Sequence, residues 1–352
     1  MPAPVFQSED ALRQAFLAGL GDLLEHDSSG TFILVLANAV YDPQVRARLE
    51  GPLRARFEAL AGHYRDCLRA GRDPAAPADD LAVFLKLMAI GFDDLQPAEA
   101  RRAGPWELQF NPVRALRPAR MSGARPEGIH RPFDPDGFHF NKPFLRKEVF
   151  WSGELAGRPV ELLYNKFPFA PLHGLLVPER QAERPQYLDR AMHGYAWQVA
   201  DALGASLPGV GLGYNSYGAC ASVNHLHFQM FVRAEPLPVA APEWRHNGGD
   251  RPYPTACRVF DDPEAAWTFL EALHEREAPY NLVYQPGRLY CLPRRGQAEV
   301  AHAPWLGGMA WAEAAGSITT FSRADFDGLD VAAIETELER LRPEALPGRA
   351  VA

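Results

Sequence analysis

The segment from Val223 to Val232 alternates apolar and polar side chains, which is the pattern of a β-strand. Successive side chains of a strand point to opposite faces of a sheet, so one face is apolar and the other carries two histidines and a glutamine. Such a polar row makes a poor core, and we expect it to form the floor of a functional site. The apolar face holds Leu226, Phe228, Met230 and Val232. The polar face holds His225, His227 and Gln229.

The residues before this strand are rich in glycine. Gly209, Gly211 and Gly213 do not complete a GxGxxG motif, and the pattern that follows is not helical, so we reject a dinucleotide-binding turn. The run from Gly218 to Ser222 contains only small side chains, and its backbone N–H groups can approach an anion closely.

Composition excludes several classes of protein. The chain has 352 residues, a net charge of −8, 47% hydrophobic and 23% charged residues, which is typical of a globular protein and not of disorder or a coiled coil. No apolar run is long enough to cross a bilayer, and the N-terminus lacks a secretory signal. Four scattered cysteines without a CxxC pair indicate reduced thiols in the cytoplasm, and the acidic charge disfavours nucleic acid as a partner.

Periodicity predicts an α+β fold with antiparallel sheet, because helices and short strands recur in both halves of the chain. Residues 1–100 form a helical N-terminal extension without a chemical motif. Predicted helices cover 8–25, 44–70, 79–91, 185–204, 263–273 and 330–341, and predicted strands lie near 148–151, 160–164, 175–177, 257–260, 281–284 and 289–292.

The segment 101–131 is locally basic, with seven arginines against two acids. Guanidinium groups suit phosphate oxygens, so this segment is a candidate for holding a polyanionic ligand. The alternative is a solvated loop whose arginines pair with acids elsewhere, and the charge pattern leaves both open. The arginines are Arg101, Arg102, Arg114, Arg117, Arg120, Arg125 and Arg131.

Three chemistries could use the polar row. A metal site needs three or four ligands, and asparagine and glutamine are poor partners for two histidines. A serine hydrolase of the nucleophile-elbow type needs a GxSxG sequence, which the chain lacks. Covalent catalysis fits better, because a neutral imidazole can attack an α-phosphorus while a neighbouring carboxamide donates a hydrogen bond to the phosphate oxygens.

The motif His225-Leu-His227-Phe-Gln229 resembles the HxHxQ motif of the nucleotidyltransferase branch of the histidine-triad superfamily. That branch contains galactose-1-phosphate uridylyltransferase, diadenosine tetraphosphate phosphorylase and the GDP-sugar phosphorylases, and the last group is the most similar. The resemblance covers about residues 105–340. It is carried by 109–114, 131–134, 138–142, 172–178, 213–229, 279–283, 292–293 and 311–316.

The resemblance implies two fused histidine-triad-like halves, a catalytic half over 101–240 and a second half over 241–352, with one active centre. A homodimer is compatible with it. The implied reaction is a double displacement on a nucleotide sugar, with a GDP-hexose favoured and inorganic phosphate as acceptor. Diadenosine tetraphosphate phosphorylase and hexose-1-phosphate uridylyltransferase activities are alternatives, since the same histidine chemistry serves dinucleoside polyphosphates and sugar phosphates. A non-catalytic nucleotide-binding protein is a further alternative.

The resemblance also implies residue roles. His227 is the expected nucleophile, Gln229 the hydrogen-bond donor to the α-phosphate, and His225 orients its neighbour. In zinc-containing uridylyltransferases the equivalent of His225 binds metal, but no CxxC pair accompanies it here, so we predict no metal and no cofactor. The expected substrate-binding residues are Asn215, Ser216, Gly218, Ser222, Asn224, His173, Arg114 and Lys142.

Overall fold

The computed structural model describes residues 3–26, 28–117 and 128–345, so Arg120 and Arg125 of the basic segment lie outside the described residues. The helices are α1 (Glu9–Leu23), α2 (Ser29–Tyr41), α3 (Pro43–Arg69), α4 (Ala78–Ile90), α5 (Pro112–Ala115), α6 (Arg190–Gly204), α7 (Pro263–His274), α8 (Trp311–Ala314), α9 (Arg323–Gly328) and α10 (Val331–Arg340). The strands are β1 (Glu99–Ala103), β2 (Trp106–Phe110), β3 (Val149–Leu155), β4 (Arg158–Tyr164), β5 (Gly174–Pro178), β6 (Val210–Asn215), β7 (Phe228–Val232), β8 (Arg258–Phe260), β9 (Tyr280–Gln285), β10 (Arg288–Pro293) and β11 (Ser317–Thr320).

The centre of the fold is an eight-stranded sheet with the order β3-β4-β5-β7-β6-β9-β10-β8. Every pair of neighbouring strands in it is antiparallel. A second sheet, β1-β2-β11, joins the start of the basic segment to the C-terminal part of the chain. The predicted α+β class with antiparallel sheet is confirmed, and the predicted boundaries at residues 100 and 240 stay predictions.

The two faces of the large sheet have different neighbours. One face presents apolar side chains such as Leu176, Phe228 and Tyr284 to helices α1, α6 and α7, and these residues share one buried cluster. The strand register places Leu175, Gln229 and Gly213 in one row on the other face. This second face carries Gln229 of the predicted polar row, while His225 and His227 come before the strand begins at Phe228.

The N-terminal extension is a layer of helices, and its predicted helices at 8–25, 44–70 and 79–91 are confirmed as α1, α3 and α4. Sequence patterning missed α2, because eleven of its thirteen residues are buried and a helix that is apolar all round has no amphipathic period. The extension is tied to the sheet by the hydroxyl of Tyr164, which donates to the carbonyl oxygen of Phe16 at 2.6 Å.

Two predicted boundaries were wrong. The strand predicted from Val223 begins only at Phe228, and the helix predicted from 185 begins at Arg190. The helix starts late because Asp189 caps it, with its side chain accepting a hydrogen bond from the backbone N–H of Met192. Within the described ranges, no helix combines the length and the apolar character needed to cross a membrane.

Phe84 of α4 tests whether the extension belongs to the cooperative core. Its fully buried ring contacts the rings of Phe32, Phe57 and Tyr64, which lie on α2 and α3. Replacing it with alanine should lower the free energy of unfolding by about 3–5 kcal/mol, measured by urea denaturation, because the change leaves a cavity among three helices. The exposed Leu68 is the control, and Leu68→Ala should stay within about 0.5 kcal/mol. Equal effects of the two variants would contradict the prediction.

Candidate active site

The histidines of the HxHxQ motif lie in the loop just before β7, and residues 184–186 hold that loop. The backbone N–H of Leu226 donates to the carbonyl of Arg184 at 2.8 Å, and that of His227 donates to Oε1 of Gln186 at 2.9 Å. The side-chain amide of Gln186 in turn donates to the carbonyl of Asn215 at 3.0 Å. Gln186 therefore fixes the backbone of His227 against the end of β6. Sequence reasoning missed it, because a glutamine before a helix carries no pattern of its own.

A hydrogen bond to the backbone determines which ring nitrogen of His227 carries the hydrogen and which keeps its lone pair. Its Nδ1 lies 2.8 Å from the carbonyl oxygen of His225, and a carbonyl can only accept, so Nδ1 carries the hydrogen and Nε2 keeps its lone pair. Burial lowers the pKa of His227 to about 4. The ring is therefore neutral near pH 7, as a nitrogen nucleophile must be.

His225 is held in the opposite tautomer. Its Nδ1 accepts a hydrogen bond from the backbone N–H of Phe140 at 3.2 Å, which leaves the hydrogen on Nε2. Burial, with a further contribution from neighbouring His227, lowers its pKa to about 4. The rings of Phe133 and Phe140 lie 5.3 Å and 5.5 Å from the His225 ring and enclose it. His225 thus supplies His227 with a carbonyl and has its own ring fixed by a backbone amide.

Gln229 is the first polar residue of β7, and both of its contacts involve Oε1. This oxygen accepts from Nε2 of His173 at 3.1 Å and from Nε1 of Trp311 at 3.0 Å. With the oxygen held between two donors, the side-chain NH₂ is the group left to donate to a ligand.

His173 lies fully buried beside Gln229, in the loop before β5 where the sequence placed a site histidine. Its Nδ1 accepts from the backbone N–H of Phe169 at 3.3 Å, so its Nε2 carries the hydrogen and donates to Gln229. Burial, with a further contribution from the positive charge of Arg114, lowers its pKa to about 3. His173 therefore acts as a neutral donor.

Arg114 brings the positive charge of the basic segment to this site. It lies on the short helix α5, where the side chain of Asn111 accepts from its backbone N–H at 3.1 Å. Its guanidinium stacks on the ring of Phe169 at 4.7 Å and donates to the carbonyl of Phe167 at 2.7 Å. Among the described residues, Nε of Arg114 is buried without a hydrogen-bond partner, and no carboxylate forms an ion pair with this side chain. Burial lowers its pKa, but the group stays charged at neutral pH.

Several predicted phosphate ligands hold the site together through their side chains. The oxygen of Asn215 accepts from Asn281 at 2.7 Å and from the backbone N–H of Trp311 at 2.8 Å. The hydroxyl of Ser216 accepts from the backbone N–H of Tyr280 at 3.0 Å.

Asn224 links two loops near the histidines. Its amide donates to the carbonyl of Pro132 at 2.7 Å, and its oxygen accepts from the backbone N–H of Gln186 at 3.0 Å. Gly218 has a φ of +81°, which its missing side chain permits without strain, and Ser222 is exposed.

Two other predicted cations donate to backbone carbonyls. The ammonium of Lys142 donates to the carbonyl of Pro135 at 3.1 Å. The guanidinium of Arg101 donates to the carbonyls of Phe326 and Leu329, each at 2.6 Å. Of these two cations and Arg114, only Arg114 is shown beside His173.

Metal-binding side chains do not cluster around the motif. Throughout the described ranges, histidine, cysteine, aspartate and glutamate side chains do not come together in groups of three or more that suit a metal ion.

Comparison with known proteins gives matches over the part of the chain that contains this site. Residues 106–231 match a protein-family model described as "GDPGP1-like, N-terminal domain". GDP-D-glucose phosphorylase 1 of Macaca fascicularis is 36% identical over 121 residues, which are 32% of this chain and 31% of the relative. GDP-L-galactose phosphorylase 2 of Arabidopsis thaliana is 31% identical over 149 residues, 37% of this chain and 34% of the relative. The chain thus spans about a third of the length of the curated relatives it matches.

Among solved structures, yeast Ap4A phosphorylase Apa2 is similar with a TM-score of 0.49 and 18% identity, covering 74% of this chain and 93% of that one. Its complex with Ap4A gives a TM-score of 0.48 and 19% identity, covering 75% and 97%. The segment that carries the HxHxQ motif resembles the GDP-sugar phosphorylases, as the sequence predicts, and over residues 106–231 that resemblance is confirmed.

Proposed function

We propose that this protein is a nucleotidyltransferase that moves a nucleoside monophosphate from a nucleotide sugar, with a GDP-hexose favoured, to inorganic phosphate through a nucleotidyl-histidine. The observation that carries the proposal is the imidazole of His227, neutral and with Nδ1 bound to a carbonyl, so that the lone pair of Nε2 is available. The names of the matched relatives support a GDP-sugar as donor.

The reaction has two steps. Nε2 of His227 attacks the α-phosphorus, an N–P bond forms, and the bond to the leaving sugar 1-phosphate breaks with its electron pair. The carbonyl of His225 stabilises the positive charge that develops on the ring, and the NH₂ of Gln229 donates to an oxygen of the α-phosphate. An oxygen of orthophosphate then attacks the same phosphorus, the N–P bond breaks, and a nucleoside diphosphate is released.

The remaining site residues support these steps in different ways. Arg114 offers its unpaired Nε–H to the phosphate groups, and Lys142 stays a proposed second source of charge. Asn215, Ser216 and Asn224 act by holding the loops, while Gly218 and Ser222 offer backbone N–H groups. We further propose that the protein works in the cytoplasm without metal or cofactor, and that it forms a homodimer.

Two alternatives share the histidine chemistry and differ in the donor or in the acceptor of the nucleotidyl group. A dinucleoside polyphosphate would serve as donor for an adenylyltransferase, and a second sugar 1-phosphate would serve as acceptor for a uridylyltransferase. A non-catalytic nucleotide-binding protein would form no covalent intermediate.

Intact mass measures the intermediate directly. We expect incubation with a GDP-hexose in the absence of phosphate to add one guanosine monophosphate to the protein, and phosphate to remove it. UDP- and ADP-sugars and diadenosine tetraphosphate complete the panel of donors. His227→Ala should abolish the adduct, whereas His63→Ala, at an exposed position on α3, should keep it. The absence of an adduct with every donor would overturn the proposed function.

The pH dependence of adduct formation tests the state of His227. With a pKa of about 4, the ring stays neutral as the pH falls from about 7.5 to about 5.5, so the single-turnover rate should change less than about twofold. An ordinary histidine pKa near 6.5 would reduce the neutral fraction about tenfold over this range. A rate that falls in proportion to such a titration would show that the site does not keep the nucleophile neutral.

Arg114→Ala tests the predicted phosphate contact. We expect the KM for phosphate or nucleotide sugar to rise by about tenfold or more, since a buried guanidinium beside the phosphates is lost. Arg101→Ala is the matched control, because this arginine of the same segment donates to backbone carbonyls instead. Unchanged KM values in Arg114→Ala would remove Arg114 from the site.

A further inference from the structure

We infer that Trp311 is a positioning residue for Gln229, holding its carboxamide in the one orientation in which the NH₂ faces the reacting phosphate. The inference rests on the proposed function. It gives a role to a residue of the segment 311–316. This segment is part of the resemblance seen in the sequence, but the proposed double displacement does not use it.

A carboxamide presents an acceptor on one side and a donor on the other, so its function depends on which way it is turned. An imidazole can donate or accept according to its tautomer, but an indole N–H can only donate. The Nε1 of Trp311, at 3.0 Å, therefore requires the oxygen of Gln229 to face it, and His173 adds a second donor at 3.1 Å. Turning the amide over would place its NH₂ against two N–H groups.

The glycines of β6 make room for Trp311. A Cβ atom on Gly213 would lie 2.3 Å from the indole, so only glycine lets the ring lie flat beside Gln229. The next glycine on the same face, Gly211, leaves equal room for the ring of Phe231, which stacks on Trp311 at 5.0 Å with an angle of 9° between the ring planes. Two of the three glycines before the motif, Gly211 and Gly213, therefore make room for aromatic rings.

The backbone of Trp311 is fixed as well. Its N–H donates to the side-chain oxygen of Asn215 at 2.8 Å, and Asn281 on β9 donates to the same oxygen at 2.7 Å. Trp311 begins helix α8, far along the chain from the HxHxQ motif and outside the matched residues 106–231. The C-terminal part of the chain thus completes the site by orienting a residue of the first part.

Trp311→Phe removes the indole N–H and keeps an aromatic ring in the stack. We expect the single-turnover rate of adduct formation to fall about tenfold or more, because the phosphate loses an oriented donor, with the KM for the nucleotide sugar changed less than about twofold. In a Gln229→Ala background the same substitution should have no further effect, since there is no amide left to orient. Gly213→Ala should reproduce the loss by displacing the indole.

Trp244→Phe is the matched control. It also removes a buried indole hydrogen bond, from Nε1 to the carbonyl of Pro238 at 2.7 Å, but one that does not involve Gln229. This variant should lose stability while its adduct rate stays at the wild-type value. A Trp311→Phe variant with the wild-type rate, or with an equal loss in the presence and absence of Gln229, would overturn the inference.

An activity-independent measurement separates this inference from the proposed function. In ¹⁵N-labelled protein, the side-chain NH₂ signals of Gln229 are assigned by their absence in Gln229→Ala. We expect one sharp pair in the wild type and in Trp244→Phe, and broadened or doubled signals in Trp311→Phe, where the amide turns over. Unchanged signals would refute the positioning role, whereas a wild-type protein that forms no adduct would refute the proposed function.

Discussion

The hydrogen bond from Nδ1 of His227 to the carbonyl of His225 decides which nitrogen of the ring can react. The bond lies in the loop just before β7, which begins at Phe228, so the carbonyl of His225 is not part of the sheet. Gln186 makes this arrangement possible by taking the place of a neighbouring strand, with its side chain accepting from His227 and donating to Asn215. The position of the proposed nucleophile therefore depends on a buried side-chain amide that hydrogen-bonds as a peptide group would.

Alternation of apolar and polar side chains is a local property, so the sequence can predict which residues around the HxHxQ motif enter the core. The polar side chains at positions 227 and 229 and the apolar ones at 226 and 228 segregate as predicted, although the strand itself begins only at Phe228. The sequence did not predict the roles of Gln186 and Trp311. Gln186 contacts His227, 41 residues away along the chain, and Trp311 contacts Gln229, 82 residues away. Helix α2 was not predicted for another reason. Almost all of its residues are buried, and this removes the apolar periodicity by which helices are recognised in a sequence.

The N-terminal extension also reaches the loop that leads to His173. The side chain of Asn38 on α2 donates to the carbonyl of Asn165 at 3.1 Å, and Asp80 on α4 forms an ion pair with Lys166. The side chain of Asn165 lies 3.3 Å from His173. A segment without chemical motifs thus supports a loop whose backbone sets the tautomer of a site histidine.

The electrostatic character of the site follows from burial more than from the number of charges. Burial lowers the pKa of His173, His225 and His227, so three imidazoles that are partly charged near pH 6.5 in water are neutral here. Burial lowers the pKa of Arg114 as well, but its guanidinium stays protonated at neutral pH. The site therefore combines a neutral imidazole at His227, which we propose as the nucleophile, with a permanent cation beside His173. In the proposed reaction, Arg114 attracts the anionic substrate while the attacking nitrogen of His227 stays unprotonated. A cluster of charged histidines would not separate these two tasks, because a protonated imidazole has no lone pair for the attack.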